Sequence, residues 1–178
     1  MATITDESTT YRERTEWPVW ANAIYWGAII GVSVLMLSGY DTEMGLLARM
    51  AVAGGIVAVG WVVHGAINGL TVLVQETRLF VHLGSVALIK KAIAYGEIVG
   101  LESVTYKPFA EFGGWGRRGV GKKQAWTARG DRAVVLTLTG DRLLYVGSDH
   151  PQRLEERIRT TAGDLLGTAS SADPGARA

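Results

Sequence analysis

The first long apolar run, residues 19–39, contains no charged side chain and limits how the rest of the chain can fold. At about 1.5 Å of rise per residue, a helix of roughly twenty residues spans the ~30 Å hydrocarbon core of a bilayer. A second charge-free run, residues 50–74, follows after a short polar connection. We therefore predict a transmembrane helical hairpin over residues 17–68, with the second helix beginning near Gly45 or Leu46.

A secretory signal peptide is the alternative interpretation of the first run, because Arg12 and Arg14 precede it. The run is longer than the roughly 7–15 apolar residues of such a peptide, and a second run follows at once. These features favour a retained hairpin in a multi-pass membrane protein.

Positive charges near the ends of the two runs predict their orientation. The connection, residues 40–49, offers only Arg49. The other side offers Arg12, Arg14, Arg78, Lys90 and Lys91. Because Lys and Arg are enriched on the cytoplasmic side, we predict a protein of the inner (plasma) membrane with both termini in the cytoplasm.

Two patterns inside the hairpin have more than one interpretation. Gly27 and Gly31 have the GxxxG spacing, which fits hairpin packing or dimerisation. His64 and Asn68 lie four residues apart and could form an intramembrane proton or ligand site. Since no carboxylate or Arg accompanies them, we favour positions at the interface, where both bind water or a neighbouring backbone.

The two ends of the chain are polar or of low complexity. We predict a disordered polar tail over residues 1–16 and a second disordered tail over residues 167–178. The chain has no Cys, which excludes disulfides and thiolate chemistry. Its net charge of +1 is too close to zero to suggest nucleic acid as a partner.

Between the hairpin and the second tail, residues 69–166 change to the two-residue period of β-strands. The predicted strands are residues 70–75, 78–83, 86–95, 98–107, 120–128, 133–138 and 142–146. A helix follows, with Leu154, Ile158 and Leu165 on one stripe. We therefore expect an α+β membrane protein, in which the hairpin precedes a seven-stranded barrel or bent sheet with a C-terminal capping helix.

Several motifs of this region point to a known family. They are Gly-Gly-Trp-Gly-Arg-Arg at 113–118, Ala-Trp at 125–126, the 134–138 strand, Gly-Asp-Arg at 140–142 and Asp-His-Pro at 149–151. With the order of elements, they resemble the bacterial pleckstrin-homology-like domains of small two-helix membrane proteins, over about half of the chain. The resemblance implies a bent seven-stranded sheet with a helical cap, no catalytic residues and a role in binding or assembly. Those eukaryotic pleckstrin-homology domains that hold phosphoinositides use a basic loop between the first two strands. Here that turn is only Glu76 and Thr77, so we do not expect inositol-phosphate binding of that kind.

Enzymatic and nucleotide-binding signatures are incomplete. Residues 114–119 match GxGxxG without a following helix, and residues 116–122 match GxxxxGK with Lys123 where a hydroxyl is needed. The three histidines, at positions 64, 82 and 150, are isolated from other metal ligands. Asp131 and Asp141 lie at predicted turns, where Asp stabilises local backbone. We expect no catalytic activity, no cofactor, no metal and no nucleotide.

The Gly-rich loop after the fourth strand holds the candidate site residues. They are Trp115, Arg117, Arg118, Lys122 and Lys123. Near an anionic membrane surface each Lys or Arg contributes about 1 kcal/mol of attraction, and aromatic rings prefer the headgroup level. The alternative is a solvated basic loop whose glycines serve tight turns. Trp126 is predicted to pack in the core.

Together these features predict a non-enzymatic integral membrane protein that displays a cytoplasmic pleckstrin-homology-like domain for protein–protein assembly or membrane-surface binding. Its partners would be the lipid bilayer and either another protein or further copies of this chain. The alternative function is that of an accessory subunit of a transporter or membrane enzyme, in which His64 and Asn68 contact a substrate.

Overall fold

The two apolar runs form two long helices. A computed structural model describes residues 8–39 and 43–168 of the chain. Helix α1 covers Val19–Ser38 and helix α2 covers Leu46–Ile67, and both are long and apolar enough to cross a membrane. Within these helices only Ser33, Ala53 and Gly60 are buried. This exposure differs from that of a core helix in a soluble domain, which buries its apolar stripe.

The helices pack against each other in antiparallel fashion. The Tyr25 hydroxyl of α1 donates a hydrogen bond to the Gly60 carbonyl of α2 at 2.6 Å. A Cβ at Gly60 would lie 3.1 Å from Ile29, so the missing side chain permits the close approach. A Cβ at Gly27 or Gly31 would meet no atom within 4 Å. The GxxxG pair therefore lies away from the contact within the hairpin.

Four strands form the first sheet, which is antiparallel throughout and has the order β1-β2-β3-β4. The strands are β1 (Thr9–Thr15), β2 (Leu70–Gln75), β3 (Arg78–Leu83) and β4 (Lys90–Ala94). The predicted strands 70–75 and 78–83 are confirmed. The predicted strand 86–95 is longer than β4, because its first residues belong to a turn that contacts the end of α2.

Strand β1 corrects the prediction of a disordered tail over residues 1–16. From Thr9 to Thr15 this segment pairs with β2, with Thr15 opposite Leu70. The Glu13 and Thr15 side chains are buried and Tyr11 packs against the core. A polar sequence can be ordered in this way because backbone pairing and buried hydrogen bonds replace the apolar burial that it lacks. The first part of the predicted tail, residues 1–7, lies outside the described residues.

Five strands form the second sheet, in the order β5-β8-β9-β7-β6. They are β5 (Ile98–Thr105), β6 (Gly116–Arg118), β7 (Lys123–Thr127), β8 (Arg132–Leu138) and β9 (Arg142–Gly147). The β7–β9 pair is parallel and the other pairs are antiparallel. The loop predicted for residues 108–119 contains β6 and a short helix α3 (Pro108–Phe112). The described chain thus has nine strands rather than seven.

Helix α4, Pro151–Ala162, packs against β2, β5 and β8 and therefore covers both sheets. Its buried side chains include Leu154 and Ile158, which confirms this part of the predicted stripe; Leu165 lies beyond the end of α4 and is 46% exposed, so its predicted place was wrong. Trp126 is 2% exposed and lies in the core between the sheets, which confirms its predicted place. The strands form two separate sheets that are not closed into a barrel, so the barrel form of the prediction is wrong. Residues 169–178 of the predicted second tail lie outside the described residues.

The helical hairpin joins the first sheet with almost no linker. Only Asn68 and Gly69 separate α2 from β2. The turn between β3 and β4 returns to the same point, where the Ser85 N–H donates to the Gly65 carbonyl at 2.7 Å. Gly84, in this turn, has a φ of +69° and lies against the backbone of Gly65 and Ala66. The ends of α1 and α2 nearest the sheets are consequently fixed to β1, β2 and the β3–β4 turn.

Candidate functional site

Two of the five candidate site residues, Trp115 and Arg118, meet the first turn of α1. They line a pocket of about 230 Å³ that we call the interfacial pocket. Its lining is Trp17, Pro18, Trp20, Ala21, Phe109, Gly113, Gly114, Trp115, Arg118 and Ala128. The pocket therefore joins the start of the first apolar helix to the loop between α3 and β6.

Local hydrogen bonds hold the loop side of the interfacial pocket. Helix α3 starts with Pro108, at a position where a backbone N–H would have no partner within the helix. Gly113, with a φ of +71°, caps its C-terminal end. The Trp115 Nε1 donates to the Gly130 carbonyl at 2.8 Å. The Arg118 Nε donates to the Trp115 carbonyl at 2.9 Å. These bonds fix the indole ring and the guanidinium on the same side of the loop.

Three aromatic rings are in contact across the interfacial pocket, in tilted and edge-to-face arrangements. The Trp115 ring centroid lies 5.9 Å from that of Trp20 and 5.1 Å from that of Phe109. Trp20 is 55% exposed and Phe109 is 62% exposed. The loop before β6 therefore places exposed rings and one cation beside Trp20, in the first turn of α1. Rings and cations of this kind favour the headgroup region of a membrane.

The other three candidate residues lie elsewhere. Arg117 places its Cζ 5.8 Å from the Trp126 ring centroid, on the opposite face of β6 from Arg118. Lys122 lies 3.9 Å from the Asp141 carboxylate, and Lys123 forms an ion pair with Glu111 at 2.9 Å. The structure thus divides the predicted set instead of joining it in one patch.

The charge of Lys123 is balanced locally. The Glu111 carboxylate accepts the Lys107 backbone N–H and the Lys123 ammonium, which lowers the pKa of Glu111. The same pair raises the pKa of Lys123. The Lys123 Nζ also lies 5.1 Å from the Phe112 ring. Lys123 is therefore bound within the domain and contributes little to attraction of an external anion.

His64 lies among polar and aromatic groups near the domain end of the hairpin. Its Nε2 is 2.8 Å from the Asn22 Oδ1, and the Tyr25 and Trp26 ring centroids are each 5.3 Å from its own. Asn68 instead ends α2, with its N–H donated to the His64 carbonyl. The His64 ring is thus bonded across the hairpin to α1, and the Asn68 backbone caps α2.

The two partial nucleotide-binding motifs, at residues 114–119 and 116–122, lie in a loop and short strand that no helix follows, as the sequence predicts. Strand β7, not a helix, follows Gly119, so no helix N-terminus faces residues 114–119. In the described residues no group of three His, Cys, Asp or Glu could hold a metal ion. Neither the scan against protein-family models nor the search of curated proteins gives a match to this chain.

The sequence identified Trp115 and Arg118 but not their partners. The contact of Trp115 with Trp20 joins residues that are far apart in the chain, and no periodic pattern predicts such a pair. The only sequence signal was compositional, since both segments are rich in aromatic residues next to a charge-free run.

Proposed function

We propose that this chain is a non-enzymatic integral membrane protein, whose hairpin spans the bilayer and whose domain, residues 69–166, binds the cytoplasmic membrane surface. The contact of Trp115 with Trp20 carries the proposal. Trp20 lies in the first turn of α1, the predicted span, so a loop that touches it would lie at the headgroup level of the bilayer.

The rigid connection between the hairpin and the domain supports this function. Three residues separate strand β1 from α1, and β1 pairs with β2, which follows α2 after two residues. A domain attached at both helix ends cannot swing away from the membrane as it could on a flexible linker. The membrane surface is therefore its permanent neighbour.

The charge distribution supports the cytoplasmic orientation. Arg12 and Arg14 lie on β1, and Lys90 and Lys91 lie on β4 of the same sheet. On the far side of the span the connection offers Arg49. The sheet side therefore has the greater positive charge, as expected for the cytoplasmic side.

The pleckstrin-homology-like class and a role in protein assembly remain parts of the proposal. Two sheets of mainly antiparallel strands with a C-terminal helix are compatible with that class, although the parallel β7–β9 pair is an additional feature. The alternative of an accessory subunit of a transporter or membrane enzyme is less favoured, because the His64 Nε2 already lies 2.8 Å from the Asn22 Oδ1.

Spin labelling of reconstituted protein tests membrane-surface binding. The chain has no Cys, so Phe109→Cys introduces one labelling position in the interfacial pocket. In liposomes we expect this label to collide more often with oxygen, which concentrates in the bilayer, than with a polar nickel complex.

Glu76→Cys provides the matched control. Glu76 is exposed and lies at the far end of β2 from α2, about 20 Å away at 3.3 Å per residue. We expect its label to show aqueous accessibility in the same liposomes. Equal aqueous accessibility at both positions would reject the proposed contact.

A further inference from the structure

The open seam between the two sheets contains a second cavity, of about 470 Å³, which we call the basic groove. Its lining is Leu88, Ile89, Lys90, Lys91, Arg117, Gln124 and Trp126. It lies where β4, the edge of the first sheet, approaches β6 and β7 of the second. The groove exists because the sheets do not close into a barrel at this edge.

The polar side chains of the basic groove include three cations and one neutral amide. Lys90, Lys91 and Arg117 line it, and none of the residues that line it is acidic. The Lys91 Nζ donates to the Gln124 Oε1 at 3.0 Å across the seam. Among the described residues neither Lys90 nor Arg117 has a carboxylate within ion-pair distance. The groove therefore has uncompensated positive charge.

Trp126 gives the groove an aromatic floor. The Arg117 guanidinium lies over this ring, 5.8 Å from its centroid, which orients the cation over the groove. The Trp126 Nε1 is buried and has no acceptor in the described part of the chain.

Neighbouring charged groups affect the pKa of Lys91. Burial, together with the charges of Arg142 and Arg117, lowers the pKa of Lys91, although Glu97 acts in the opposite direction. Arg142 is itself paired with Glu97 at 3.2 Å. Protonation of Lys91 is thus less favourable than that of an ordinary lysine, and a bound anion would favour it.

The basic groove lies next to the membrane end of the domain. Its wall residue Leu88 is 65% exposed and belongs to the turn that is bonded to the end of α2. Val86, in the same turn, is 62% exposed and lies against Gly65. Exposed apolar side chains at this level fit insertion among lipid headgroups.

We propose that the basic groove binds a phosphate group, held by Lys90, Lys91 and Arg117. The headgroup of an anionic phospholipid is the source that the location favours, and this choice of source rests on the proposed membrane-surface function. Arg offers a fork of N–H donors and Lys a point charge, which together suit a phosphate oxygen set.

Amine acylation of the full-length protein tests the site. The protein is placed in phosphatidylcholine nanodiscs with or without phosphatidylglycerol, and mass spectrometry follows acylation at each lysine. We expect phosphatidylglycerol to slow acylation of Lys90 and Lys91 about threefold relative to that of Lys107. A threefold slowing corresponds to a groove that is about two-thirds occupied by lipid. Lys107, exposed at the start of the α3 loop, corrects for the general effect of an anionic surface.

Two arginines provide a matched pair of variants. Arg117→Gln should abolish the selective protection, whereas Arg157→Gln, which removes the same charge from an exposed position of α4 outside both cavities, should retain it. Lys90→Gln gives a second removal of a groove cation should Arg117→Gln fail to fold. Equal protection in the wild type and Arg117→Gln would overturn the site.

Inorganic phosphate, added to phosphatidylcholine nanodiscs, distinguishes the two sources of the ligand. Protection by phosphatidylglycerol alone assigns the site to a lipid headgroup, and protection by inorganic phosphate as well assigns it to a soluble phosphate. No selective protection with either probe would overturn the proposal. Binding of inorganic phosphate requires no membrane contact. Protection by this probe would therefore support the groove even if the spin label at position 109 showed no bilayer exposure and the proposed membrane-surface function failed.

Discussion

Glu13 Oε1 accepts a hydrogen bond from the backbone N–H of Asp149 at 2.8 Å, which ties the segment before α1 to the start of α4. The Ser148 hydroxyl lies 2.8 and 2.9 Å from the two oxygens of the same carboxylate. A buried anion at a helix N-terminus is stabilised by the free N–H groups there. This contact fixes β1, and through it α1, to the rest of the domain.

Removal of the Glu13 charge should destabilise the domain. We expect Glu13→Gln to lower the free energy of unfolding by about 2 kcal/mol, because hydrogen bonds to a buried charged group are lost. Equilibrium denaturation in detergent, followed by far-ultraviolet circular dichroism, measures the change. Glu16→Gln is the control: Glu16 lies 3.5 Å from Arg14 and its side chain is 65% exposed. A change within about 0.5 kcal/mol is expected there, and equal effects of both variants would contradict the role of Glu13.

The junction at Gly84 should tolerate no side chain. A Cβ there would lie 2.3 Å from the Gly65 carbonyl oxygen, and the φ of +69° is itself unfavourable for Ala. Gly140 has a similar φ of +76° with no atom within 4 Å of a Cβ. We expect Gly140→Ala to cost about 1 kcal/mol in unfolding free energy and Gly84→Ala clearly more. Similar melting temperatures of the two variants would show that the turn does not pack on α2.

Acid should weaken the attachment of α4 to β5. Burial raises the pKa of Glu155, but hydrogen bonds from Ser103 and Arg159 outweigh it, so the net pKa lies below the ordinary 4.5. A depressed carboxylate pKa stabilises the fold above the unfolded-state value, and this stabilisation is lost as pH falls through the folded-state value.

We therefore expect the melting temperature of the wild type to fall more steeply below pH ~4.5 than that of Glu155→Gln. Thermal denaturation followed by circular dichroism at a series of pH values measures the two slopes. Glu156→Gln, at an exposed position of the same helix, should keep the wild-type slope. Parallel curves for the wild type and Glu155→Gln would contradict the assignment.

The pKa of Lys91 should lie below that of an ordinary lysine, and the pKa of Lys123 should lie above it. Burial and the nearby Arg142 lower the pKa of Lys91, whereas the hydrogen bond to Glu111 raises the pKa of Lys123. Reductive methylation with carbon-13 gives each amine a separate nuclear magnetic resonance signal. We expect the Lys91 midpoint below the Lys123 midpoint, and Glu111→Gln should lower only the latter. The reverse order would contradict the positions of both side chains.

Local patterns in the sequence were sufficient for most of the elements. The charge-free runs predicted α1 and α2, and the alternation of residues 70–83 predicted β2 and β3 with their bounds. The stripe of Leu154 and Ile158 predicted α4. Each of these signals is a short-range periodicity, which a single sequence displays directly.

Elements that depend on distant partners could not be predicted. Strand β1 is a polar sequence, and it is ordered because Glu13 meets Ser148 and Asp149 and because β2 provides a free edge. The predicted site residues do not form one patch, for the same reason. Arg117 and Arg118 are adjacent in sequence, yet alternation along β6 directs them to different cavities.

Contact of the domain with the bilayer is tested most directly by photocrosslinking in native membranes. A photoreactive residue at position 118 lies on the wall of the interfacial pocket, beside Trp20 and Trp115. We expect lipid adducts on the intact protein, identified by mass spectrometry, and none from the same residue placed at Glu76. Adducts with a distinct protein and none with lipid would contradict membrane-surface binding and would make the domain an assembly module.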